Sequence, residues 1–78
     1  MPAPKKWPAG VDGQIITAAF SNNAAVAKRR PSYIYVGFDT ANDRTAFKSA
    51  ISGIQNISAS DIVHPDEPDM FFEKVVPT

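Results

Sequence analysis

The chain has no cysteine, a single histidine and no long apolar run among its 78 residues. The lack of cysteine excludes disulfides and thiolate metal sites, and it weakly favours a reducing compartment. No apolar stretch approaches the roughly 20 residues that span a bilayer. The lysines near the start are not followed by the apolar core of a secretory signal. We therefore expect a cytoplasmic protein with no membrane partner.

The sequence also lacks the motifs of common catalytic sites. Its only imidazole is His64, and it has no nucleophile elbow, phosphate-binding loop or Gly-x-Gly-x-x-Gly run. Three carboxylates, Asp66, Glu67 and Asp69, follow His64 in a segment framed by prolines, but their spacing fits no standard metal motif. A solvated acidic loop is the simpler interpretation. We expect no enzymatic activity, no cofactor and no metal site.

The length of the chain allows one small domain with a thin core. Small domains are usually reinforced by a disulfide, a metal or an oligomeric partner. Since the first is excluded and the second has no support, self-association as a homodimer is predicted. Three prolines near the start favour an extended arm over residues 1–10, whose Trp7 docks on the domain or on a partner. Residues 11–78 then form the domain.

Residues 11–30 are compatible with two structures. Ile and Thr favour a strand over residues 14–20, and Asn22-Asn23 then suits the turn of a hairpin that returns through Ala24–Lys28. Alternatively, the many alanines and the spacing of the apolar residues fit one helix from Asp12 to Arg29. A double asparagine is poor in the middle of a helix, so the hairpin is favoured.

The clearest unit is a strand followed by a helix. Pro31 disfavours a helix and opens a strand over Ser32–Phe38, whose alternate residues point to opposite faces. Thr40 is the predicted N-cap of a helix over Ala41–Gln55, with the Asp43 carboxylate reaching back as in a capping box. One face of the strand carries Ile34, Val36 and Phe38, and the other carries Tyr33, Tyr35 and Gly37.

The last third predicts two more strands, over Ile57–His64 and Met70–Val76, the second of them at an edge of the sheet. One ring of the Phe71-Phe72 pair must face away from the core, because successive strand side chains alternate. The predicted fold class is α+β, with a small, mostly antiparallel sheet of three or four strands and one main helix packed on one face. The predicted core consists of Ile15, Ile34, Val36, Phe38, Phe47, Ile51, Ile54 and Val75.

Charge is unevenly distributed although the formal net charge is zero. Residues 1–31 carry five cations against one acid, and residues 32–78 carry three against seven. This asymmetry indicates an oriented surface that steers partners, unless the charges are merely scattered through exposed loops. The basic cluster Lys28-Arg29-Arg30 lies just before Tyr33 and Tyr35, which suits phosphate contacts beside stacking rings.

The segment Tyr33-Ile34-Tyr35-Val36-Gly37 resembles the first-strand motif of RNA-recognition-motif domains, and it too precedes a helix. The resemblance covers five residues and implies that the two tyrosines stack on bases. Nothing downstream matches the second, basic and aromatic motif of that family, so the platform would lack half of its aromatics. A structural interpretation is also open, in which the tyrosines form cross-strand pairs and the cations keep a sheet edge soluble.

Two binding functions remain after catalysis is set aside. We expect a small protein-binding module that contacts another protein or a protein complex, because aromatic and arginine side chains dominate binding hot spots. By analogy, small phage and mobile-element proteins of this type act as inhibitors or adaptors. The alternative is a single-stranded nucleic-acid-binding protein, which the acidic stretch Asp61–Glu73 disfavours through charge repulsion. The candidate contact residues are Trp7, Lys28, Arg29, Arg30, Tyr33, Tyr35 and Phe72.

Overall fold

A computed structural model describes residues 6–78 as two helices and one four-stranded sheet. All neighbouring strands are antiparallel, in the order β1-β2-β4-β3. The predicted α+β fold with an antiparallel sheet is confirmed, with a second helix beside the expected one. The elements are α1 (Val11–Ser21), β1 (Val26–Arg29), β2 (Ile34–Phe38), α2 (Ala41–Ile51), β3 (Ile57–Ile62) and β4 (Phe71–Pro77).

The predicted hairpin over residues 11–30 is wrong in its first half, since the segment begins with helix α1. Ile15 and Ala19, four residues apart, lie on one side of α1 and are buried in the core. Asn23 adopts a left-handed φ of 68°, and the backbone N–H of Ala24 returns to the carbonyl of Ala19. The double asparagine therefore ends a helix instead of joining two strands. The returning strand does form, as β1.

The predicted unit of strand and helix is present, with shorter elements. Thr40 caps α2, because its hydroxyl accepts a hydrogen bond from the backbone N–H of Asp43 at 3.1 Å. The Asp43 carboxylate does not complete a capping box; it accepts from the side chain of Asn23 at 3.4 Å. Helix α2 ends at Ile51, before the predicted end at Gln55.

Strand β4 lies inside the sheet, so its predicted place at the edge is wrong. It pairs with β2 on one side and with β3 on the other, which leaves β1 and β3 as the edges. The chain passes from β2 through α2 to β3 and leaves a gap that β4 fills, as in a split β-α-β unit. Four of the seven residues of β4 are buried, whereas the middle of β3 is exposed, and this difference fits the strand order.

Both helices pack on the same face of the sheet and form the core with it. The rings of Phe38 and Phe47 meet there at 5.4 Å between centroids. Every predicted core residue is buried except Ile54, which is half-buried because α2 ends before it. Neither helix is long and apolar enough to cross a membrane, as far as residues 6–78 show.

Candidate ligand-binding face of the sheet

Within residues 6–78, one face of the sheet is not covered by a helix, and we call it the open face. Strand alternation and the pairing register determine which side chains it carries, and none of these strand residues is acidic. The open face comprises Val26 and Lys28 of β1, Tyr35 and Gly37 of β2, Ser58, Ser60 and Ile62 of β3, and Phe72, Lys74 and Val76 of β4.

Two tyrosine rings form the centre of the open face. The rings of Tyr33 and Tyr35 lie nearly parallel, with an angle of 16° between them and 6.0 Å between their centroids. The Lys74 ammonium lies 5.1 Å from the centre of the Tyr33 ring, within the range of a cation–π contact. Both tyrosines are half-buried, so their positions are held by packing while part of each ring meets solvent.

Lysines stand on both sides of Tyr35. Lys28 is its register partner on β1, and Lys74 is its partner on β4. Neither lysine forms an ion pair with any of residues 6–78. Lys28, Tyr35 and Lys74 therefore form a row across the open face, with the aromatic ring between the two cations.

The basic cluster predicted from the sequence is divided by strand alternation. Arg29 points to the helix side, where its guanidinium binds the Asp12 carboxylate at 2.6 Å. This hydrogen bond lowers the pKa of Asp12. Arg30 lies beyond the end of β1, where its backbone N–H donates to the Tyr33 carbonyl at 2.7 Å. Of the two cations within β1, Lys28 belongs to the open face and Arg29 to the helix side.

Trp7 docks on the domain. Its indole N–H donates to the carbonyl of Arg30 at 3.2 Å, and its ring packs against the hydrophobic core. Residues 1–5 of the predicted arm lie outside the described residues.

Phe72 lies on the open face but is covered by other side chains, since only 1% of it is exposed. Its ring lies over Gly37, where an added Cβ would stand 2.7 Å from the ring carbon Cε1. His64 covers the ring at 5.1 Å and also faces Tyr35 at 5.8 Å between centroids. A partner would therefore meet His64 and Tyr35 there, with Phe72 holding them in place.

The position of His64 is fixed by the loop that follows it. Its Nδ1 atom accepts a hydrogen bond from the backbone N–H of Asp66 at 3.2 Å. In the neutral ring the proton is then on Nε2, which leaves a donor at that nitrogen. In the part of the chain that the structure describes, no three His, Asp or Glu side chains lie close enough to hold a metal ion.

A buried carboxyl lies on the opposite face of β4. Glu73 is fully buried, and neither of its side-chain oxygens has a hydrogen-bond donor among residues 6–78. Its register partner on β3 is Asp61, to which Lys48 and Arg44 of α2 are bound at 3.0 and 3.4 Å. Two ionised carboxylates only accept hydrogen bonds, so a bond between Glu73 and Asp61 requires a proton on one of them.

Burial, followed by the hydrogen bond with Asp61 and the negative charge of Asp61, raises the pKa of Glu73 to about 8. The same hydrogen bond lowers the pKa of Asp61 to about 2, with help from Lys48 and Arg44. The proton therefore resides on Glu73 at neutral pH. This pair was not predicted, because only the register of β3 and β4 brings the two residues together.

An apolar cleft lies elsewhere, between α1 and the edge strand β1. Its volume is about 450 Å³, and Ile16, Phe20 and Ala27 line it beside the Arg29–Asp12 ion pair. Phe20 is 59% exposed there. The two charged groups satisfy each other, so the cleft offers apolar surface without converging polar groups. It suits an apolar protein segment better than a polar small ligand.

Sequence reasoning found the two tyrosines and Lys28 but missed Lys74 and His64 as their neighbours. Alternation along Met70–Val76 puts Lys74 on the same face as Phe72, which was a usable signal. The contact with Tyr33 depends on the strand order, which the sequence did not give.

The chain matches no family model, curated protein or solved structure. We therefore infer its function from the geometry of its own residues.

Proposed function

We propose that this chain is a non-catalytic binding protein whose open face binds single-stranded nucleic acid. One observation carries the proposal: the nearly parallel rings of Tyr33 and Tyr35 lie on a sheet face that neither helix of residues 6–78 covers, with Lys28 and Lys74 on the two sides of Tyr35. Bases stack on aromatic rings, and cations beside the rings meet the phosphates. Because bases must be unstacked to reach the rings, single strands suit this surface better than a duplex.

The absence of acid on the open face removes the main electrostatic objection to this proposal. Asp61 and Glu73 belong to the helix side, where Asp61 is bound by Lys48 and Arg44 and Glu73 is protonated. The remaining acidic loop, Asp66–Asp69, follows His64 at one end of the face. We expect the strand of nucleic acid to run along Lys28 and Lys74 and away from that loop.

A protein partner remains the second candidate, which the cleft between α1 and β1 favours. The exposed Phe20 ring beside Ile16 and Ala27 has the character of a hydrophobic anchor site. In this case the chain acts as an inhibitor or adaptor, and the open face has no ligand of its own.

Binding of a labelled, mixed-sequence single-stranded oligonucleotide, followed by fluorescence anisotropy, tests the first candidate. Tyr35→Leu removes a stacking ring and should cost about 1–3 kcal/mol of affinity, while Tyr35→Phe keeps the ring and should cost little. Joint neutralisation of Lys28 and Lys74 to Gln should flatten the log–log salt slope by about 1.4, at about 0.7 for each phosphate contact on a single strand.

Arg29 supplies the matched control, since it adjoins Lys28 in sequence but lies on the helix side. Arg29→Gln removes the same charge and should leave the salt slope unchanged. Equal effects of Lys28→Gln and Arg29→Gln would mean that only net charge matters and would sink the proposed site. Absence of oligonucleotide binding even at low salt would contradict the first candidate and favour a protein partner at the cleft between α1 and β1. Phe20→Ser should then abolish capture of that partner.

A further inference from the structure

We propose that two copies of this chain pair through their β3 edges, antiparallel, about a two-fold axis at Ser60. The sheets of both copies then form one continuous sheet. The proposal does not depend on the proposed function, and its test uses no nucleic acid.

The backbone of β3 has hydrogen-bonding groups available for such pairing. The N–H of Thr78 donates to the carbonyl of Asn56, so the bonded pairs with β4 fall on the even-numbered residues of β3. The N–H and C=O groups of Ile57, Ala59 and Asp61 therefore point outward from the sheet. No other strand covers this edge within residues 6–78.

The edge formed by β3 also lacks the features that usually prevent pairing. Edge strands are commonly protected by lysine, proline, a bulge or short length. Strand β3 has six residues with no lysine or proline, and its single acid, Asp61, is held by α2. The opposite edge, β1, has four residues and includes Lys28 and Arg29. Pairing β1 with itself about an axis at Lys28 would bring two lysines together.

An apolar cleft and an exposed valine determine the register. Beside β3 on the helix side is a cleft of about 190 Å³, which is lined by four apolar residues together with Lys48 and Ser52: Ile51, Ile54, Ile57 and Ala59. Val63, directly after β3, is 77% exposed. Its neighbour His64 faces Tyr35 on the open face, so alternation directs Val63 to the helix side. With the axis at Ser60, the partner's Val63 lies opposite Ile57 and covers this cleft.

Neighbouring registers are less favourable. An axis at Asp61 would oppose two identical carboxylates across the strands, which is destabilising. An axis at Ala59 would oppose Asp61 to the partner's Ile57 and leave Val63 without an apolar neighbour. The axis at Ser60 opposes Asp61 to the partner's Ala59 and avoids both problems.

Single cysteines test the pairing cleanly, because the natural chain has none. At the axis, Ser60 and the partner's Ser60 form a non-hydrogen-bonded pair with Cα atoms about 4.5 Å apart, within the range for a disulfide. Ser60→Cys should therefore form a covalent dimer under mild oxidation. The matched control is Ser58→Cys, an equally exposed serine on the same face, whose two copies would lie roughly 14 Å apart.

Sedimentation of the unmodified protein should give a mass of twice 8.4 kDa at high micromolar concentration. Ala59→Pro removes only an outward N–H, which edge strands tolerate, and should give a folded monomer. The proposal would be overturned by a monomer in the unmodified protein, by cross-linking of Ser58→Cys as readily as Ser60→Cys, or by a dimer that Ala59→Pro leaves intact. Preferential cross-linking of Ala59→Cys would also overturn it, since it would move the axis.

Discussion

At the scale of single residues, Gly37 determines how closely the open face is packed. A side chain at this position would point to the open face, where the Phe72 ring already fills the space. Phe72 in turn contacts Tyr35 and is covered by His64. The missing side chain of Gly37 therefore lets Phe72 lie flat enough to support the two residues that a ligand would meet.

Gly37→Ala should accordingly disturb both stability and binding. The added Cβ would stand 2.7 Å and 2.8 Å from two carbons of a ring that is 1% exposed, so the ring must shift. Such overpacking costs about 1–3 kcal/mol, measurable by urea unfolding. Gly53→Ala is the control, because its Cβ would meet nothing within 4 Å. Equal stability of the two variants would contradict this account of Gly37.

The residues of the open face were only partly predictable from the sequence. Tyr33 and Tyr35 share a face because they are two positions apart in a strand, and this requires no knowledge of the fold. Lys74 joins them only because β4 lies beside β2. Arg29 shows the same limit, since three consecutive cations look like one cluster until alternation sends the middle one to Asp12.

At the scale of elements, the local signals were weakest where helix and strand propensities compete. The segment Gln14–Phe20 contains β-branched residues beside alanines, and its propensities alone do not decide between the two structures. Burial of Ile15 and Ala19 on one side of a helix decides the outcome. The position of β4 was also beyond local reasoning, because strand order depends on which elements pack together.

The packing of α2 was predictable, because two signals in the sequence indicate the same helix. Thr40 is a suitable N-cap, and the apolar residues that follow it recur at helical spacing and form one stripe. Phe47→Ala should cost about 3–5 kcal/mol, since the ring is fully buried against Phe38. Phe20→Ala makes the same chemical change on α1 at a ring that is 59% exposed, and its effect should be far smaller. Thermal melts of both variants make the comparison. Similar melting temperatures for the two would show that the stripe of α2 does not face the core.

At the scale of the whole molecule, the acidic residues of the strands lie on the helix side of the sheet, and two lysines that form no ion pair within residues 6–78 lie on the open face. The acids Asp12 and Asp61 are paired on the helix side, while Lys28 and Lys74 are left on the open face. The asymmetry between the two halves of the sequence predicted an oriented surface, but not its orientation. Glu73 is buried beside Asp61 on the helix side, so the stability of the domain depends on pH.

The sign of that pH dependence follows from the two pKa shifts. The pKa of Glu73 rises from 4.5 to about 8 on folding, so its contribution is fully present below 4.5 and is lost as pH rises toward 8. The pKa of Asp61 falls from 3.8 to about 2, so its contribution is present above 3.8 and is lost as pH falls toward 2. We therefore expect maximum stability near about pH 4–5.

Glu73→Gln should remove the loss of stability on the alkaline side. The amide cannot ionise, and its N–H group can donate to Asp61 in place of the acid proton. The full shift from 4.5 to about 8 corresponds to on the order of 5 kcal/mol, at about 1.36 kcal/mol for each pKa unit, which rivals the stability of a domain this small. Urea unfolding from pH 4 to pH 9 should show a steep decline for the natural protein and a flat profile for Glu73→Gln. Glu67→Gln, which removes a carboxylate from the exposed loop, should follow the natural protein. If the Glu73→Gln profile declines as steeply as that of the natural protein, Glu73 is already ionised in the folded chain and carries no proton at neutral pH.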